Sequence, residues 1–404
     1  MSDLLRHRRG FRAEKLRALA VDHGFPQTCF IFLLTRGAIF AVFLLVGATT
    51  IEREGPDFSP DNLHPVTRFD WGAVGSNLNY TLGRGDAAWY LDLVEHGYEA
   101  GPFEATRQHN WVFYPLYPML VRLASFGTHQ YLLAGALLSN AFFFCALLLF
   151  HRLIGALGYE GSIADRAVFY AAIFPVSYFF SLPLTESLFF LAVIGSFLAG
   201  ARGRWWAAGL LGACAAASRP NGILLLPALA IFYLERSERA KWGAQILWLG
   251  LIPISLGGFM FFLWHRTGNP LAFLEAQSAW GRHRGSLLAP LIDYLWSPSA
   301  MIDPWNFRLL NFAAVILALG VAVFWTSQRA WAFAALTLFS LLLPLASGSL
   351  QSMARFVLVI FPLYLALALA GRRPWLDQTI RVIFLVLFGV MTLSFALRFS
   401  FAGA

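Results

Sequence analysis

The chain has 404 residues, of which 58% are hydrophobic and only 13% charged, a balance that excludes a water-soluble globule and points to a polytopic membrane protein. Its 39 Phe, 14 Trp and 12 Tyr suit a bundle with aromatic belts at the membrane surfaces. The formal net charge of +8 would suggest nucleic acid or another polyanion for a soluble protein, but in a membrane protein its meaning depends on where the charges lie.

The basic stretch Met1 to Arg17 is too long and polar to lead a cleaved signal peptide, and no small-residue cleavage site follows, so the first span is expected to be retained. Apolar runs able to contribute to crossing a hydrocarbon core of roughly 30 Å, which takes about 20 helical residues, occur at about 28–50, 130–150, 167–182, 184–201, 205–218, 222–234, 244–264, 309–327, 330–347, 356–370 and 379–398. About eleven transmembrane helices are therefore expected, the short ones buried in the bundle or extended by semi-polar neighbours. Cys29, Cys145 and Cys214 each lie in an apolar run without paired spacing, which reads as packing.

With the N-terminus cytoplasmic, the polar segments alternate between sides. Met1 to Arg36, His151 to Arg166, Arg202 to Arg204, Glu235 to Lys241, Arg329 and Arg372 to Arg381 hold 18 Lys+Arg and 8 Asp+Glu, leaving 12 and 14 for the opposite side. That is the positive-inside pattern. No repeat or separate soluble domain is visible, so residues 1–404 read as one membrane domain. It has a cytoplasmic segment at 1–27 and two large extracytoplasmic loops, 51–129 and 265–308, whose Trp-rich, Pro-punctuated sequences suit short interfacial helices.

The densest polar patch of the first loop runs Gly83-Arg84-Gly85-Asp86-Ala87-Ala88-Trp89-Tyr90-Leu91-Asp92-Leu93-Val94-Glu95-His96-Gly97-Tyr98. Asp86 opens a short helical pattern that Gly97 can end, and it reads either as an N-cap or as a reactive carboxylate. At about 100° per residue, Trp89, Tyr90 and Leu93 share its face whereas Asp92 and Glu95 do not. A partner for Asp86 must therefore come from elsewhere in the fold. Further on, His109-Asn110-Trp111-Val112-Phe113-Tyr114-Pro115-Leu116-Tyr117-Pro118 reads as a membrane-entry clamp or as a pocket wall for an isoprenoid or sugar ring.

Three further outward turns carry polar groups: Pro183-Leu184-Thr185-Glu186-Ser187, Ser218-Arg219-Pro220-Asn221-Gly222, and Ser347 to Phe356 with Arg355. Glu186 is an ionisable group between two spans and a functional candidate on that ground, with helix capping as the alternative. Arg219 and Arg355 could be snorkelling anchors. The loop charges nevertheless place Asp86, Glu186, Arg219 and Arg355 on one side, and carboxylates with guanidinium groups at the mouth of an apolar bundle suit an anionic substrate, phosphate above all. His265-Arg266 and Trp280-Gly281-Arg282-His283-Arg284 of the second loop could reach the same anion or lipid headgroups. The outer histidines 64, 96, 109, 129, 265 and 283 lack HxxxH or HExxH spacing, and there is no P-loop, GxGxxG or GxSxG.

Asp86-Ala87-Ala88-Trp89-Tyr90 with His96-Gly97-Tyr98, then Phe113-Tyr114-Pro115-Leu116-Tyr117-Pro118, Leu184-Thr185-Glu186-Ser187-Leu188-Phe189 and Ser218-Arg219-Pro220-Asn221-Gly222, together resemble the PIG-V-like family of the GPI second-mannose mannosyltransferase and its prokaryotic relatives. Asn269-Pro270-Leu271-Ala272-Phe273 and Arg355-Phe356 look similar too, whereas Gly85 stands where eukaryotic members usually carry Trp. The resemblance implies a GT-C glycosyltransferase fold, the catalytic Asp in the first outer loop, a polyprenyl-phosphate sugar, typically mannose, as donor, and residence in a prokaryotic plasma membrane with an extracytoplasmic active site. Under that reading Asp86 is the general base toward a lipid or glycan acceptor, with inversion at the anomeric carbon. Arg219, Arg355, His109 and Arg282 bind the donor phosphate, and Trp89, Tyr90, Tyr114, Tyr117, Glu186 and Asn221 line the pocket. No metal or other cofactor is expected, and no nucleic acid; membrane lipids are the remaining partners. The competing readings are a lipid-linked substrate transporter or flippase, a non-catalytic envelope-assembly protein, and a ligase using a diphosphate-linked oligosaccharide.

Overall fold

The computed structural model describes residues 12–50, 68–236, 243–282, 285–303 and 305–403. The chain up to Phe11, His64, His283 and Arg284 lie outside the described residues. Helix α1 (Arg12–Gly47) is followed by a two-stranded antiparallel ladder, β1 (Thr49–Thr50) with β2 (Arg68–Phe69), and by three short helices, α2 (Val74–Gly83), α3 (Asp86–His96) and α4 (Leu116–Ala124). Next come α5 (Tyr131–Ala156), α6 (Gly161–Ala172), α7 (Glu186–Ala201), α8 (Trp205–Ala216), α9 (Leu225–Arg236) and α10 (Leu251–Thr267). Two more short helices, α11 (Ala272–Glu275) and α12 (Ala289–Trp296), precede α13 (Arg308–Ser327), α14 (Trp331–Leu345), α15 (Met353–Leu358), α16 (Phe361–Ala370) and α17 (Pro374–Ala396).

Five helical segments among the described residues are long and apolar enough to cross a membrane: Gly24–Gly47, Tyr131–Ala156, Ala244–Thr267, Arg308–Ser327 and Pro374–Ala396. Four shorter apolar helices, α7, α8, α14 and α16, pack among them, and the protein is an integral membrane protein. At 1.5 Å per residue, a helix of 12 residues such as α8 reaches only about 18 Å, short of the hydrocarbon core. Proline-punctuated turns lengthen such elements: a 3-10 turn at Pro220–Leu224 precedes α9, and α15 leads into α16 with Pro362 in its first turn.

The run 167–182 is not one helix. Its pattern continues into Pro175, which cannot donate into a helical ladder, so α6 stops at Ala172 and a 3-10 turn at Ser177–Ser181 leads through Pro183 to α7. Such a break inside a bundle is tolerated when its freed backbone groups find partners. Arg36 supplies them. Placed with the cytoplasmic charges by the sequence, it is instead 3% exposed within the α1 span. Its Nη2 donates to the carbonyl of Ala172 at 2.7 Å and to Ser177 Oγ at 2.8 Å, and its Nη1 donates to the carbonyl of Ser177 at 2.8 Å. Arg36 is therefore a structural clamp and drops out of the loop charge count.

Small residues and rings set the packing. A Cβ on Gly209 would lie 2.1 Å from the Trp248 carbonyl oxygen, and one on Gly212 2.7 Å from Ile252 Cδ1, so α8 meets the segment leading into α10 backbone to backbone. Phe143 of α5 stacks on Phe180 of the broken segment at 4.2 Å, and Phe197, Phe333 and Phe361 form a ring cluster between α7, α14 and α16. Segments assigned by their charges to the same side gather at one end of the bundle: His151 pairs with Asp165 at 3.2 Å, and Arg166 with Asp377 at 3.4 Å. On α4, Met119 and Leu123 are exposed, as is Phe126 just beyond it, an apolar face suited to the membrane interface.

Candidate active site

Helix α3 starts at Asp86 because Gly85 makes the turn before it. Gly85 is the N-cap, with φ +62°, a backbone region open to glycine at little cost, and Asp86 is the acidic residue of the first turn, where the helix dipole favours negative charge. The capping alternative for Asp86 therefore falls to Gly85. Gly97 ends the helix with φ +77° and its N–H bonded to the Leu93 carbonyl. Asp92 turns outward to His96 at 2.9 Å and Glu95 is exposed, so neither joins Asp86.

Three other elements converge on Asp86. Glu186 opens α7 after the Pro183 break, also as the acidic residue of a first helical turn. Arg219 precedes Pro220, which forces it into extended backbone, φ −152° and ψ 152°, and directs it away from the end of α8. Gly222 lets that turn lie against α8, since a Cβ there would sit 2.3 Å from the Ala215 carbonyl oxygen. Arg355 rides on the short helix α15, which begins at Ser352 in a left-handed conformation, φ +63°. That helix is anchored by Asn311 of α13, whose Oδ1 accepts from the Ala354 N–H at 2.7 Å.

The side chains form a chain of ion pairs. Arg355 Nη1 donates to Asp86 Oδ2 at 2.6 Å, and its Nε donates to Glu186 Oε1. Arg219 Nη1 lies 2.6 Å from the same Glu186 oxygen, close enough for charge attraction but out of line for a hydrogen bond. Glu186 Oε2 is buried without a hydrogen-bond partner. Glu186 is fully buried, Arg219 and Arg355 nearly so, and Asp86 is the open member with 36% of its side chain exposed. Guanidinium groups also lie over rings: Arg355 over Phe179 at 4.8 Å, and Arg219 and Arg282 over Phe356 at 5.4 and 5.8 Å.

Arg282 belongs to this cluster by charge, within electrostatic reach of Asp86, Arg355 and Arg219, and burial lowers its pKa from the ordinary arginine value. It donates to Gln277 Oε1 at 3.3 Å. Tyr90 also faces the cluster; burial raises its phenol pKa well above the usual value and its hydroxyl meets Thr185.

The remaining candidates are placed elsewhere or packed. His109 is 4% exposed, bonded through Nδ1 to Glu99, stacked on Trp111 at 3.8 Å, with Nε2 buried and unpartnered. Trp89 packs between Phe113 and Trp280 of the second loop. Tyr114 packs on Phe259 and Phe273, Tyr117 bonds to Ser139 and the Gly135 carbonyl, and Asn221 donates to the Ser340 carbonyl at 3.2 Å. Tyr178, Phe179, Asn311 and the segment around Phe401 line a small cavity beside Arg355. Of these only Asn311 left a trace in the sequence, as a lone amide inside an apolar run.

An integral membrane protein with a buried carboxylate–guanidinium cluster open at one carboxylate is the class that fold and site define. Residues 72–238 match the family described as Mannosyltransferase (PIG-V), the family on which the ordered motifs converge; this stretch holds Asp86, Glu186 and Arg219 but neither Arg282 nor Arg355. The chain is 28% identical over 217 residues to the GPI alpha-1,6-mannosyltransferase 2 of Rattus norvegicus, covering 50% of this chain and 40% of the relative. The enzyme of the same name from Cricetulus griseus is 28% identical over 214 residues, with the same coverage. The alignment thus spans less than half the length of these curated relatives. A solved oligosaccharyltransferase of Archaeoglobus fulgidus, tethered to an acceptor peptide, superposes with a TM-score of 0.37 at 12% identity, covering 91% of this chain and 54% of that one.

Proposed function

We propose that the protein is a glycosyltransferase that moves a hexose, mannose by its family match, from a polyprenyl-phosphate sugar to a lipid or glycan acceptor. The observation that carries this reading is the pairing of the partly exposed Asp86 with a guanidinium cluster at the mouth of an apolar bundle. Asp86 takes the proton from an acceptor hydroxyl, a general-base step worth about 10²–10⁴-fold. The activated oxygen forms the new bond to the anomeric carbon. The bond from that carbon to the phosphate oxygen breaks with inversion, and its electron pair leaves with the polyprenyl phosphate. Arg282 and Arg219, with Arg355, stabilise the charge that develops on that phosphate. Since guanidinium groups do this work, no metal is needed. The site faces the extracytoplasmic side, where donors arrive through the membrane, and the N-terminus is cytoplasmic.

The test is purified protein in lipid vesicles with radiolabelled polyprenyl-phosphate mannose. Transfer to an added acceptor fraction, or release of free mannose to water, supports the proposal. Donor movement between leaflets without sugar loss means a flippase, and neither outcome means an assembly protein.

A further inference from the structure

Asp86, Glu186, Arg219 and Arg355 do not share the solvent equally. The cluster is closed at Glu186, which has no exposed surface, and open at Asp86. Glu186 is also the member on which the most depends. One of its oxygens receives Arg355 Nε and lies 2.6 Å from Arg219 Nη1, and the other is buried with no hydrogen-bond partner. Its charge lies wholly within the protein, and the charged groups it meets are the guanidinium groups of Arg355 and Arg219.

We infer that Glu186 is a positioning residue: it acts on the reacting groups only through Arg355 and Arg219, fixing the first so that Asp86 is held at the mouth and holding the second beneath the phosphate position. This rests on the proposed transferase reading. Three observations support it. Arg355 reaches both carboxylates with different nitrogens, Nε toward Glu186 and Nη1 toward Asp86, so the planar guanidinium transmits the position of one carboxylate to the other. Arg355 and Arg219 come from elements separated by more than a hundred positions and meet at Glu186 Oε1. The four groups also sum to zero charge when all are ionised, so without the Glu186 charge two guanidinium groups would face the single carboxylate of Asp86. The excess positive charge at the site is then that of Arg282, on the second loop.

The experiment compares kcat and donor KM of the full chain in vesicles, using polyprenyl-phosphate mannose and following mannose release and transfer. Glu186→Gln keeps the shape and removes the charge. Expected is a fall in kcat of about 100-fold, the scale of a 1 Å misplacement of a reacting group, with donor KM within about two-fold of wild type because no contact with the donor is lost. A rise in KM with kcat retained would make Glu186 a substrate contact and overturn the inference, as would unchanged constants. If Glu186→Gln does not fold, Glu186→Asp decides. It keeps the charge one methylene shorter, Arg355 must follow it, and kcat is expected to drop by at least about tenfold; wild-type kcat in that variant overturns the inference. Inactive wild-type protein would sink the transferase reading itself and this inference with it, whereas active wild type with an indifferent Glu186→Gln sinks the inference alone.

Discussion

Arg355 stands 2.6 Å from Asp86 through one nitrogen and meets Glu186 through another, joining residues 269 and 169 positions away in the chain. A point charge could not do this. The guanidinium is planar and offers donors in a rigid fork, so it can hold two carboxylates in a fixed relation, which a lysine ammonium cannot. Much of the chemistry proposed for the site depends on that fork.

Asp86→Asn should keep the fold and donor binding and lower sugar transfer by about 10²–10⁴-fold, the range of a general base. Transfer assays alongside thermal unfolding check it. Near-normal transfer would remove Asp86 from the role of base.

Arg355→Ala should cost about 3–5 kcal/mol of stability, because it leaves the fully buried Glu186 short of one of its two cations. Arg355→Lys should restore part of the stability but little activity. Melting temperatures in detergent, measured beside activity, separate the two effects; a lysine variant as active as wild type would show that charge alone suffices.

Arg36→Met should loosen the break between α6 and α7, at about 1–3 kcal/mol for each buried carbonyl left without a donor. The Ser177 carbonyl, 2.8 Å from Arg36 Nη1, is the group most directly affected. Hydrogen exchange over 172–186 is the direct measurement, and unchanged protection there would mean that another group holds the turn.

Gly222→Ala should misplace Arg219, since the new Cβ would lie 2.3 Å from the Ala215 carbonyl oxygen and the backbone must move. A lower melting temperature and a lower kcat are expected, because Arg219 acts on the charge that develops as the phosphate leaves. A variant with both at wild-type values would show that the turn can shift without cost.

Dialysis against EDTA should leave transfer unchanged, because the proposed stabilisation of the leaving phosphate comes from guanidinium groups. Loss of activity that magnesium or manganese restores would refute this.

The membrane class was legible because it rests on composition, and the approximate positions of the long helices because they rest on runs of apolar residues, whereas their ends were not: α1 begins at Arg12, α5 runs on to Ala156 and α17 begins at Pro374. Asp86, Glu186, Arg219 and Arg355 stood out because an ionisable residue beside or within an apolar run is expensive to bury and is seldom kept there without a charged partner or a function. What the chain did not disclose is equally specific. Asn221 and Tyr117 looked like pocket residues, yet their polar atoms are engaged by Ser340 and by Ser139 with Gly135. Arg36 looked like a loop charge, yet it serves a helix break whose need for a donor appears only once Ala172 and Ser177 are brought beside it.

By itself, then, the sequence determined that this is a helical membrane protein and which polar residues are out of place in it, because burial preference and period are local properties of a chain. Only the tertiary structure decided which of them meet. The placing of Glu186 at the closed end and Asp86 at the open one depends on where Pro175, Pro183 and Pro220 bend the backbone, and on contacts between residues more than a hundred positions apart, which no local pattern records.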